Sequence, residues 1–85
     1  MNKNLARVTL KLIGLEEIAF DFRENTTVAE LQKFAEKELR VKAAYMKLMW
    51  DGIALDPRQY LKNYNIEDGD EIHVLNCEVK VFLIL

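Results

Sequence analysis

Two apolar/polar alternations separated by a single glycine turn constrain this chain most. In residues 7–13, Val8, Leu10 and Leu12 alternate with Arg7, Thr9 and Lys11. After Gly14-Leu15-Glu16-Glu17, Ile18, Phe20 and Phe22 alternate with Ala19, Asp21 and Arg23. Period-2 patterning is that of a half-buried strand, so the pair predicts an antiparallel hairpin with one apolar face to cover. The cover follows at once. Thr27-Val28-Ala29-Glu30 carries a capping-box pattern, in which the Thr oxygen takes a backbone N–H and the Glu reaches back to the cap. Val28, Leu31, Ala35 and Leu39 then fall on one helical stripe, with Phe34 at its border, which predicts a helix over 28–39.

The second half supplies further short strands. Ala43 to Met46 has no clear period. Lys47-Leu48-Met49-Trp50 reads as a third strand, Asp51-Gly52 as its turn, and Leu55 as the site of a brief fourth strand. Pro57, Leu61 and Ile66 belong to a loop with helical turns, in which Leu61 and Ile66 anchor the core. Asp68-Gly69-Asp70 is a turn, and Glu71 to Leu75 is a closing strand with Ile72 and Val74 facing inward. By the same alternation Trp50 and Phe20 are core residues, as is Leu31 on the helix. The expected architecture is α+β, a β-grasp: a mixed sheet of four to five strands with one helix packed across it.

Eighty-five residues make a single domain, expected here as a core over 6–77 followed by an apolar tail or strand extension over 78–85. A chain of this size buries roughly two-thirds of its unfolded surface, and the 51% hydrophobic content suffices for a core without disulfides. Net charge is −2 with the signs interspersed, which leaves no electrostatic footprint for nucleic acid. The single cysteine, Cys77, excludes an intramolecular disulfide and fits a reducing compartment. Residues 1–7 have no apolar run behind their charges, unlike a secretory signal, and no stretch approaches the roughly 18 apolar residues of a membrane span. We therefore expect no membrane association and a cytoplasmic or nuclear location.

Catalytic chemistry finds little support. His73 is the sole histidine, with no second His and no thiol at ligand or hydrogen-bonding spacing. There is no phosphate-cradling glycine loop. Asp68 and Asp70 lack the further ligands and the terminal Glu of a calcium loop, and no basic neighbourhood activates Cys77. The expectation is no enzymatic activity, no metal and no cofactor.

Several of these pieces together resemble the ubiquitin family. Leu61-x-x-Tyr64-Asn65-Ile66, His73-x-Leu75, the Thr26-Thr27-Val28 helix start and Leu48-x-x-x-Gly52-x-x-Leu55 recur in the family's order and spacing, and the resemblance runs without a gap from Ala6 to Leu75. It implies an apolar recognition patch on the exposed sheet face, which falls by position on Ile13, Met49, His73 and Leu75. Gly52 sits beside it, and Ile53 stands where ubiquitin has a chain-linking Lys, widening the apolar surface. Lys11 and Lys47 would orient partners at the rim. The alternation agrees, since Met49 and His73 point opposite to Leu48, Trp50, Ile72 and Val74, and exposed apolar clusters mark interaction sites.

The chain also departs from the family. The Gly-Gly positions of conjugated members are Lys80 and Val81 here, and Cys77-Glu78-Val79 replaces the Arg-rich run. Conjugation or sulfur carriage, which need that free end, is not expected. The chain instead resembles non-conjugated ubiquitin-like domains within larger proteins. The expected function is a monomeric interaction module for ubiquitin-binding helical domains, a proteasome receptor or its own parent protein.

The Asp-Gly-Asp-Glu-Ile-x-Val ending resembles SUMO-like domains as well. Their peptide groove would here be rimmed by Asp21, Arg23, Glu30 and Glu38, three of which repel acidic-flanked peptides. The alternative reading is a SUMO-like or architectural domain that packs within its own protein or self-associates through its C-terminal strand. Glu67, Asp68, Asp70 and Glu71 form an acidic turn. The sharper option there is head-to-tail pairing with a strand lysine such as Lys11, as in Phox/Bem-type domains. Val79-Lys-Val-Phe-Leu-Ile-Leu85 alternates like a strand and, left free, would invite edge-to-edge association.

Overall fold

The computed structural model describes residues 5–12 and 14–78. Ile13 and the apolar segment 79–85 lie outside the described residues.

The hairpin forms as the alternation requires. Strands β1 (Ala6–Leu12) and β2 (Glu16–Phe22) pair antiparallel in continuous register from Ala6 opposite Phe22 to Leu12 opposite Glu16. Gly14 turns the chain at φ 77°, a left-handed conformation that glycine adopts without a steric penalty, and the Leu15 N–H donates to the Leu12 carbonyl at 3.0 Å.

Helix α1 spans Val28–Leu39, as its stripe predicts, and buries Val28, Leu31, Ala35 and Leu39. Its N-terminus differs in one detail from the expected box. Thr27 Oγ1 accepts the Glu30 N–H at 3.1 Å, but Glu30 Oε1 takes the Thr27 hydroxyl at 3.3 Å rather than the cap's backbone N–H. Arg40 ends the helix in the left-handed region at φ 58°, its N–H returning to the Glu36 carbonyl. Substituting Thr27→Ala orphans the Glu30 N–H, and we expect a loss of about 1 kcal/mol in urea unfolding. A change below a few tenths would show that the cap is dispensable.

A 3-10 turn, Ala43–Tyr45, leads into β3 (Met46–Trp50). Asp51 and Gly52 both adopt positive φ, 50° and 76°, which matches the twist of a tight hairpin. The fourth strand, β4, is Ile53–Ala54, with Leu55 buried just beyond it rather than inside it. A second 3-10 turn, Leu61–Tyr64, precedes β5 (Glu71–Asn76). Leu61 and Ile66 do anchor the core from the intervening loop, at 0% and 6% exposure.

The sheet order is β2-β1-β5-β3-β4. The first and last strands run parallel at the centre, with Thr9 opposite Glu71 and Leu12 opposite Val74. Parallel neighbours need a crossover, and α1 lies on that route, packed over Val8, Leu10, Leu48, Ile72 and Val74. Phe20 and Trp50 are less buried than their alternation implies. Both are half-buried and pack against the core from outside it. Phe20 lies on an edge strand and touches Phe34 at a ring-centroid distance of 4.8 Å. Trp50 ends β3 and donates its indole N–H to Asp70 Oδ2 at 3.2 Å. Alternation sets the face a side chain points to, whereas depth depends on how far the helix reaches across that face.

Candidate functional site: the open sheet face

Residues that alternate away from the helix build the opposite face. Strand register places Met49 directly opposite His73 across β3 and β5, and Ala54 opposite Met49 across β3 and β4. Lys11 is the neighbour of His73 on the other side, across β1 and β5. One row across the sheet thus runs Glu17, Lys11, His73, Met49, Ala54. The next row on β5 and β3 pairs Leu75 with Lys47. Met49 and Leu75 are half-buried, and His73, Lys47 and Gly52 are exposed. Ile53 is 46% exposed at the start of β4. The geometry therefore brings Met49, His73, Leu75, Lys11 and Lys47 onto one surface, with Gly52 at the β3–β4 turn beside it, whereas Ile53, paired with Trp50, starts β4 on the other face. Ile13, the remaining residue of the expected patch, lies outside the described residues.

Charge surrounds the apolar positions. Lys11 Nζ approaches Glu17 at 3.7 Å, and His73 Nε2 lies 3.8 Å from Glu71 Oε1. Further along, the Arg7 guanidinium holds both oxygens of Asp21, at 2.7 and 3.3 Å. That hydrogen bond, with the lesser charge attraction, keeps the Asp21 carboxyl below its usual value, against the opposing effect of desolvation. The pair is solvent-exposed, so its contribution to stability is small. It is present in full above the ordinary carboxylate range and fades as pH falls through the lowered value of the folded chain. We expect the Asp21 side-chain carboxyl resonance to titrate below the ordinary Asp range and to return to it in Arg7→Gln. An unshifted midpoint in the parent chain would show that the pair is not held in solution.

The acidic turn is wired into the chain itself. Asp68 Oδ1 accepts the Arg7 N–H at 2.8 Å, and Asp70 Oδ2 accepts both the Trp50 indole and the Glu67 N–H, the latter at 2.9 Å. The backbone joins in, with Gly69 N–H donating to the Arg7 carbonyl at 2.7 Å. Two of the four carboxylates thus hold the turn against β1 and β3. Of the rim residues for an acidic-flanked peptide, Asp21 is engaged by Arg7 and Glu30 by the helix cap, while Arg23 and Glu38 are exposed. Among the described residues, no group of three His, Cys, Asp or Glu side chains is arranged to hold a metal ion.

Some exposed apolar side chains went unassigned in the sequence reading. Leu15, at the hairpin tip, is 79% exposed, and Tyr45 and Tyr60 are 40% and 42% exposed. Leu15 follows a turn glycine, a position where an apolar residue has no strand face to join, and that was its one available signal.

A central parallel pair of first and last strands, a single capped helix across one face and a two-residue fourth strand define a ubiquitin-like β-grasp domain. The chain belongs to the family described as Ubiquitin-2 like Rad60 SUMO-like, whose sequence model matches residues 6–75. No curated protein matches it in sequence. Solved structures share the fold. The N-terminal ubiquitin-like domain of the 4931431F19Rik protein superposes with a TM-score of 0.79 at 24% identity, covering 98% of this chain and 85% of that one. The ubiquitin of Caldiarchaeum subterraneum gives 0.81 at 17% identity, over 88% and 96% of the two chains. The ubiquitin-like domain of Plasmodium falciparum Dsk2 gives 0.77 at 21% identity, over 82% and 95%.

Proposed function

We propose that this domain is a non-catalytic protein-interaction module that presents its open sheet face to helical ubiquitin-binding elements or a proteasome-type receptor. The opposition of Met49 and His73 across β3 and β5, with Leu75 one step along β5, carries the reading. These residues offer a small apolar area on the face the helix does not cover. The flexible thioether of Met49 suits partners of varied shape. Ile53 is exposed at the margin of this area, at the β3–β4 turn, and Lys11 and Lys47 give orientation through charge. An interface of this size sits at the lower end of specific complexes and corresponds to micromolar dissociation constants. Partners of this kind would meet the domain in the cytoplasm or nucleus, most naturally as one part of a larger protein.

Isothermal titration against a panel of ubiquitin-binding helical domains and a proteasomal ubiquitin receptor tests the reading. It expects micromolar binding to at least one. Absence of heat with every member, at concentrations well above micromolar, would refute it and leave a domain that packs within its own protein.

A further inference from the structure

The open face does not end at Leu75. The Cys77 N–H donates to the Tyr45 carbonyl at 2.7 Å, one step beyond the pairing of Met46 with Asn76. The register of β3 and β5 therefore continues to a further pair. Along the column, Met49 stands opposite His73, Lys47 opposite Leu75, and Tyr45 opposite Cys77. Met46 and Leu48, the residues between them on β3, are buried, whereas Tyr45 is 40% exposed and Cys77 is exposed. Both backbone groups of Tyr45 are held, its carbonyl by Cys77 and its N–H by the Lys42 carbonyl at 2.9 Å, so the ring sits on a fixed point of the sheet. Across the strands the surface is bounded. On one side Lys11 is drawn to Glu17 at 3.7 Å, and on the other β4 contributes only Ile53 and Ala54. The apolar strip thus runs along β3 and β5, from Met49 through Leu75 to Tyr45.

We propose that Tyr45 is a second anchor of this surface and that the partner is an acidic amphipathic helix lying along β3 and β5, one apolar side chain over Met49 and another over Tyr45. The inference rests on the open-face reading and extends it. Four residues of strand separate Met49 from Tyr45, about 14 Å. A helix rising about 1.5 Å per residue covers that distance in about nine residues. Apolar residues at i, i+4 and i+8, which share one helix face, then fall near Met49, Leu75 and Tyr45 in turn. A tyrosine suits the end of such a strip, since its ring is buried by the partner while its hydroxyl stays at the wet margin. Tyrosine is also among the residues that carry most interface energy.

Charge selects the helix. Lys47 stands between the two anchors, and Lys42 precedes the turn that carries Tyr45. Both are exposed, and neither joins an ion pair among the described residues. A helix with carboxylates beside its apolar stripe meets these ammonium groups, whereas a basic helix with the same stripe sets like charges together.

Titration calorimetry of the parent chain, Tyr45→Ala and Tyr45→Phe with acidic single-helix members of the ubiquitin-binding panel tests the proposal, with Met49→Glu as the control for the open face. Cys77, the sole cysteine, gives a second readout in the unmutated chain, its rate of alkylation by iodoacetamide with and without the helix. The expected result is an affinity about ten-fold or more lower in Tyr45→Ala, an affinity near the parent's in Tyr45→Phe, and slower alkylation of Cys77 when the helix is bound. Binding that is lost in Met49→Glu but kept in Tyr45→Ala, with Cys77 alkylated at the free rate, overturns the proposal and leaves the open-face reading standing. A parent chain that binds no helix of the panel overturns both.

Discussion

Met49→Glu abolishes docking on the open face and leaves the fold in place. Met49 is half-buried in the centre of its row, flanked by His73 and Ala54, so any partner that covers this surface desolvates it. A carboxylate there must be buried against an apolar partner, which is costly. Central interface residues of this kind cost at least about 2 kcal/mol when disrupted, roughly a 30-fold loss of affinity. In the free domain the same side chain points to water, and a surface change of this sort shifts stability by roughly 0.5 kcal/mol. Calorimetry with any partner that binds the parent chain, alongside thermal unfolding of the variant, separates the two effects. Retained affinity would remove Met49, and with it the patch, from the account.

Leu61→Ala is the largest expected change in stability. Leu61 has no exposed surface, although it belongs to a loop turn rather than to a strand or to α1. Its N–H also donates to the Thr26 carbonyl at 3.0 Å, tying the turn to the start of the helix. Removing three buried carbon atoms leaves a cavity under the loop and costs about 2–5 kcal/mol. Small domains have total stabilities that begin near 5 kcal/mol, so the variant is expected to be partly unfolded at ambient temperature, with a midpoint at least about 10 °C lower. Urea and thermal unfolding measure this. A loss below about 1 kcal/mol would mean that the loop is a peripheral strap and not part of the core.

Local pattern carried much of this fold. The hairpin, the helix over 28–39 and the closing strand follow from period and capping, because neighbours in sequence decide them. The parallel pairing of β1 with β5 does not, since it joins residues some sixty positions apart. Burial depth was legible where the helix covers the sheet, at Val8, Leu10 and Ile72, and was overstated at its margins, at Phe20 and Trp50. The acidic turn shows the same limit. In sequence its charges show only an acidic turn, whereas the partners of Asp68 and Asp70, Arg7 and Trp50, are brought in by the fold from 61 and 20 residues away. The opposition of Met49 and His73 likewise needed the register of two strands separated by more than twenty residues.

Chemical-shift mapping of the isotope-labelled chain during titration with a ubiquitin-binding helical domain or proteasomal receptor tests the central claim most directly. Shifts are expected to centre on Met49, His73 and Leu75 and to spread to Lys11, Lys47 and Ile53, with the helix and the β2 edge unmoved. Binding that shifts α1 or β2 and leaves the Met49–His73 row unchanged would contradict it.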